Sequence, residues 1–149
     1  MFVLQDSRKI QVGIVIVTHI DYGAVLLRAV EHILGPAHDC ATIQVDISYD
    51  AAETVNRLKE AVALLDTGKG VLILTDMFGG TPTNLSLSLM GNGNIEVLTG
   101  VNLPMLLKVM GNRDKNLQQL SEIACVAGRD GIVAAGELLR SKQRKHEEK

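Results

Sequence analysis

The chain has 149 residues, 46% hydrophobic but only 3% aromatic, with a formal charge of −2. That length suits one domain that buries a core without disulfides or metal, and the core has to be built from Val, Leu, Ile and Ala. The near-neutral charge argues against nucleic acid. The last ten residues hold five of the 15 basic and two of the 17 acidic residues, so the rest is distinctly acidic, 10 basic against 15, and suits a partner with a basic face.

The segment Met1 to Lys9 is charged and has no apolar stretch of the kind a signal peptide needs. No apolar run reaches the ~20 residues that span a bilayer, so a cytoplasmic location is expected. Ile10–Val17 is short and β-branched and ends at Thr18–His19, which reads as a buried strand. From Asp21 to Leu34 the apolar residues take helical spacing, and Gly35–Pro36 stops the helix. Cys40–Val45 is a second strand. Asp50, with Glu53 three residues on, can cap a helix to about Leu65 as a capping box. Neither Cys40 nor Cys125 has a CxxC or metal-ligand spacing, so both read as small buried hydrophobes.

Gly70–Leu74 is a third strand ending at Thr75–Asp76. The loop Met77–Thr81 follows, and Pro82 marks the start of a helix to about Met90. Ile95–Leu98 is a fourth strand, and Pro104 opens a short helix to about Met110. Asn112–Arg113–Asp114 reads as a loop and Leu117 to Ala127 as an amphipathic helix. Gly131–Leu139 fits either a helix or an edge strand, and Ser141–Lys149 reads as a solvated, disordered charge run. The expectation is a single domain over 1–140 followed by a tail over 141–149. Its fold class is α/β: a doubly wound, mostly parallel sheet of about four strands with helices on both faces.

In such sheets ligands bind beyond the carboxyl ends of the strands, where strand order reverses. In the flavodoxin-like order that point lies between the first and third strands, which here end in Thr18–His19 and Thr75–Asp76. An imidazole there can act as a nucleophile, because one ring nitrogen stays unprotonated near neutral pH. Asp76 could be an ordinary turn or capping residue. It could equally accept from His19 Nδ1–H and leave Nε2 free to attack phosphorus. Gly79–Gly80–Thr81–Pro82–Thr83 can cradle an anion against a helix start, with Thr81 as N-cap and either threonine hydroxyl reaching a phosphoryl oxygen. Thr18 is a further candidate for holding phosphate. The loop has no GK[ST], which argues against a nucleoside triphosphate. Met77 and Phe78 would form the hydrophobic centre of a docking surface if exposed, with Ile20 and Asn102 beside them. His32, His38 and His146 have no evident partner. No metal or cofactor is called for.

The stretches GIVIVTHIDYGAVLLRAVEHILG, KGVLILTDMFGGTPTNLSL, IEVLTGVNLPMLLKVM and AGRDGI, spanning Gly13 to Ile132, resemble the mannose-family enzyme IIA of the bacterial sugar phosphotransferase system. The resemblance implies phosphorylation of His19 on Nε2, with Asp76 as its hydrogen-bond partner. It also implies HPr as phosphoryl donor, an enzyme IIB as acceptor, and contact with a membrane only indirectly, through a transporter. It further implies a homodimer that exchanges a C-terminal antiparallel strand, for which Gly131–Leu139 is the available segment. In one respect the chain departs from the pattern: Ile20 stands where the family usually has Gly. No IIB portion follows the IIA-like portion in this sequence, so the expectation is either a separate acceptor protein, in sugar uptake, or a phosphoryl state that is itself a signal in a regulatory phosphorelay.

Three rival readings differ in specific residues. The related subunit of dihydroxyacetone kinase typically carries DLGSA where this chain has DMFGGTP. A receiver-like domain wants adjacent acidic residues where Thr18–His19 stands. A non-catalytic module would use Gly79–Thr83 to hold a small anion.

Overall fold

Residues buried on both faces of a sheet favour β-branched and aliphatic side chains, and the four aliphatic runs of this chain become its strands. The computed structural model describes residues 8–147. The reading of Met1–Lys9 therefore falls mostly outside the described residues. The strands are β1 (Gly13–His19), β2 (Cys40–Val45), β3 (Val71–Thr75) and β4 (Ile95–Thr99). All three pairings are parallel, in the order β2-β1-β3-β4. The helices are α1 (Tyr22–Leu34), α2 (Ala51–Leu65), α3 (Thr81–Leu87), α4 (Leu103–Met110), α5 (Leu117–Asp130) and α6 (Ala135–Glu147).

Alternation along the central strands divides the core in two. Ile14, Ile16, Leu72 and Leu74 pack with Val30 of α1, Leu106 of α4 and Leu120 of α5. Val15, Val17, Val71 and Ile73 pack on the other face with Leu58 of α2 and with Leu89. The first strand starts later than its aliphatic run suggests, because its pairing begins only at Gly13↔Val71 and Ile14↔Cys40. Ile10 is largely exposed. Asp50 caps α2 by accepting the Glu53 amide at 2.8 Å. A complete capping box forms instead at α5, between Asn116 and Gln119.

Two features differ from what the sequence suggests. Arg113 lies in the loop expected there, but it is buried. Its guanidinium donates to the carbonyls of Val12, His38 and Asp39 and ties together the amino-terminal ends of β1 and β2. Burial lowers the pKa of this guanidinium. It also pushes the neighbouring Cys40 thiol up to about 11, with Arg113 partly opposing, so Cys40 is a poor nucleophile.

The second feature is a correction, at the C-terminus. Gly131–Leu139 does not form an antiparallel edge strand: the described sheet is wholly parallel, and Ala135–Glu147 is helical. That helix also replaces the disordered tail expected from Ser141 and crosses the boundary set at residue 140. Glu, Leu, Arg, Lys and Gln are strong helix formers, and Glu137 in the first turn with Arg144 and Lys145 in the last complement the helix dipole. None of the residues of α6 is buried.

Candidate active site

β1 and β3 end side by side, and the residues just past their ends form the site. Val17 pairs with Thr75, so His19 and Asp76 are neighbours at the sheet's end although they lie 57 positions apart in sequence. One carboxylate oxygen of Asp76 accepts the His19 backbone N–H at 2.8 Å and lies 2.7 Å from His19 Nδ1. The other accepts the Met77 amide at 2.9 Å. An ionised carboxylate only accepts, so Nδ1 carries the proton and Nε2 keeps its lone pair.

Burial pushes the Asp76 carboxyl up, but the backbone and ring donors of His19 and the Met77 amide outweigh it and hold the pKa below its ordinary value of 3.8. Asp76 is therefore ionised at neutral pH. The His19 side chain is 48% exposed and that of Asp76 only 11%, so the ring is anchored from within and reachable from outside.

The two glycines of the loop have different reasons to be glycine. Gly79 has φ +80, a left-handed conformation that L side chains rarely adopt. Gly80 has an ordinary φ of −82, but a Cβ there would lie 3.0 Å from His19 Cε1 and 3.7 Å from Nε2. The backbone at the start of α3 thus lies against the ring edge that carries the free nitrogen. Gly80 is the N-cap of α3 and Thr81 its first residue, which corrects the expectation of Thr81 as cap. Thr81 is half-buried at this mouth.

The hydroxyls of the other two candidate threonines are engaged inside the protein. Thr83 donates to the Met77 carbonyl at 2.6 Å and accepts from Thr75 at 2.7 Å, which fixes the loop carrying Asp76. Thr18 accepts the Gly23 amide at 2.8 Å and so serves the start of α1, where Asp21 makes no capping bond. Both residues are about 1% exposed. Asn102 accepts from the Met105 amide and donates to the Gly128 carbonyl, capping α4 and joining it to α5. Met77, Phe78 and Ile20 are exposed.

The inward role of Thr75 had no signal in the sequence, whereas the departure from glycine at Ile20 pointed to the backbone there. Ile20 has φ +46, in the left-handed region. A β-branched residue there costs about 1–2 kcal/mol, a cost that glycine avoids.

A family model described as EIIA-man, PTS system fructose IIA component, matches residues 13–124. The chain belongs to this family. The mannose-specific EIIAB component of Escherichia coli (strain K12) is 34% identical over 126 residues, 83% of this chain. The chain spans 39% of the length of that relative. Among solved structures, EIIA from Streptococcus agalactiae is 27% identical with a TM-score of 0.77, covering 85% of this chain and 98% of its own. The PTS IIA protein associated with the fucose utilization operon of Streptococcus pneumoniae is 25% identical with a TM-score of 0.78, covering 88% of this chain and 98% of its own.

In this EIIA-man family member the His19 ring is open to solvent, with its side chain 48% exposed. A cavity of about 590 Å³ lies at the opposite edge of the sheet, beside His38 and Arg113, well away from His19. Among the described residues no group of three or more His, Cys, Asp or Glu side chains could hold a metal ion, and no helix is long and apolar enough to cross a membrane.

Proposed function

We propose that His19 accepts a phosphoryl group on Nε2 from phosphorylated HPr and passes it to an enzyme IIB, in the cytoplasm. The observation that carries this reading is the 2.7 Å contact of Nδ1 with a partly buried, ionised Asp76 while the ring stays half exposed. The Nε2 lone pair attacks phosphorus as the P–N bond of the donor's phosphohistidine breaks, and that electron pair returns to the donor imidazole. A new P–N bond forms on His19, and Asp76 balances the charge of the phosphorylated ring. Backbone amides about Gly79, Gly80 and Thr81 are the groups best able to meet the phosphoryl oxygens. Thr18, Thr83 and Asn102 act by holding the framework, and Met77, Phe78 and Ile20 by meeting the partner. No sugar contacts the chain in this reading. The test is incubation with phosphorylated HPr and identification of the labelled residue.

The two glycines should separate experimentally. Gly80→Ala should keep the fold, since its φ suits alanine, yet slow phosphoryl transfer by ~10–10²-fold because the new methyl displaces the ring. Gly79→Ala should instead lower stability by about 1 kcal/mol through backbone strain. Stopped transfer and thermal melts measured on both variants check the pair; equal effects would contradict the steric role of Gly80.

A homodimer is also proposed. Ile132, Val133, Leu138 and Leu139 are exposed apolar residues at and before α6, and a second copy would cover them. Light scattering at micromolar concentration should give about twice the 16.1 kDa chain mass; a mass equal to one chain would rule this out.

A further inference from the structure

We infer that the loops after β2, β1 and β3 form one docking rim, in which Ile20 and Ile47 select the protein that exchanges phosphoryl groups with His19. This rests on the function proposed above. Sheet order places the three loops side by side, and backbone bonds fix them there. The Ile20 amide donates to the Val45 carbonyl at 2.9 Å, on the β2 side. The His19 amide donates to Asp76 at 2.8 Å, on the β3 side. His19 is therefore at the middle of the rim.

Each loop presents large apolar groups to solvent. Ile47 and Tyr49 follow β2, Ile20 and Tyr22 follow β1, and Met77 and Phe78 follow β3. Ile47 is fully exposed and Ile20 61% exposed, so the protein's own core does not account for either. Ile20 is the more telling of the two. It keeps a β-branched side chain in a left-handed conformation, and such strain collects where a surface meets a ligand. Asp21, Thr42, Gln44 and Arg57 line a recess of about 170 Å³ beside Ile20, large enough to take a partner's side chain.

Charge decides the kind of occupant. Asp21 and Asp46 are exposed and outnumber Arg57 along the rim, and none of the three is in an ion pair among the described residues. The partner that fits is a protein whose apolar contact face is bordered by Lys and Arg. An anionic lipid surface would be repelled by these carboxylates.

The test is steady-state phosphoryl transfer from phosphorylated HPr to Ile20→Gly and Ile47→Ser. Each should raise KM about tenfold, the equivalent of losing one buried aliphatic contact, with kcat within about twofold. Ile20→Gly should melt at or above the temperature of the unsubstituted protein, which separates lost docking from lost folding. Leu64→Ser removes a comparably exposed apolar group in the last turn of α2, by the amino-terminal end of β1, and should leave KM unchanged. KM values within twofold of the unsubstituted protein in both rim variants would overturn the rim alone, whereas absence of His19 labelling in the unsubstituted protein would overturn the rim and the proposed function together. Sedimentation with phosphatidylglycerol vesicles that depends on Ile20 and Ile47 would assign the rim to a membrane surface and overturn the protein-docking proposal.

Discussion

Phosphorylated HPr should label this protein with an acid-labile, base-stable phosphate, and His19→Ala should abolish the label while His32→Ala and His38→Ala retain it. The stability pattern follows from the P–N bond, which survives alkali and hydrolyses in acid; an acyl phosphate on aspartate would be destroyed by alkali. The selectivity follows from geometry. His19 alone of these three has a carboxylate on one ring nitrogen, and the backbone of Gly80 lies against its free edge. His32 and His38 are exposed, and His38 is held through its backbone carbonyl, which accepts from Arg113 and Cys40. The His19 ring is half exposed and sits outside the core clusters, so the alanine variant should melt close to the unsubstituted protein. Undiminished labelling of a folded His19→Ala variant would sink the assignment.

The second large effect belongs to Asp76. Asp76→Ala should slow transfer by ~10²–10⁴-fold, by the precedent of orienting carboxylates that fix a histidine tautomer. Three donors would lose their acceptor together: the His19 amide, the His19 ring and the Met77 amide. Some stability should be lost as well, and pH should reveal how much. The carboxyl's pKa is lowered in the folded protein. Its stabilising contribution is then complete above its ordinary value of 3.8 and is lost as pH falls through the lowered folded value. Thermal melts of the alanine variant and the unsubstituted protein should therefore differ most at neutral pH and converge in strong acid. Wild-type transfer kinetics in the variant would leave Asp76 with only the turn-stabilising role that its bond to Met77 describes.

The rim and the anchored histidine divide the work differently. In the proposed function Asp76 acts on the reacting ring, so its loss should appear in kcat. In the inferred rim Ile20 and Ile47 act on the encounter with a partner, so their loss should appear in KM. Thr83 belongs to neither set, because its hydroxyl is enclosed between Thr75 and the Met77 carbonyl.

Local chemistry was enough to read much of this protein from its sequence. The aliphatic runs ending at Thr18–His19 and Thr75–Asp76 mark strands because β-branched residues buried on both faces leave no polar alternation. Gly35–Pro36, Asp50 and Pro104 mark helix ends because capping and ring constraints act within a few residues. The alternation of strand and helix then brings the ends of β1 and β3 together, and with them His19 and Asp76. Through-space neighbours decided the rest. Thr18 and Thr83 look like phosphate ligands in sequence, yet each spends its hydroxyl on a group that folding brings within 2.8 Å. Arg113 is buried because three carbonyls from distant segments converge on it. Gly80 must be glycine because a ring 61 positions earlier lies against it. The left-handed turn at Ile20 arises from leaving β1 for α1, a demand that its β-branched side chain opposes. At the C-terminus the unpaired stretch had two secondary structures open to it. Helix propensity decided: Ala135–Glu147 is helical, and the outer edges of β2 and β4 stay unpaired among the described residues.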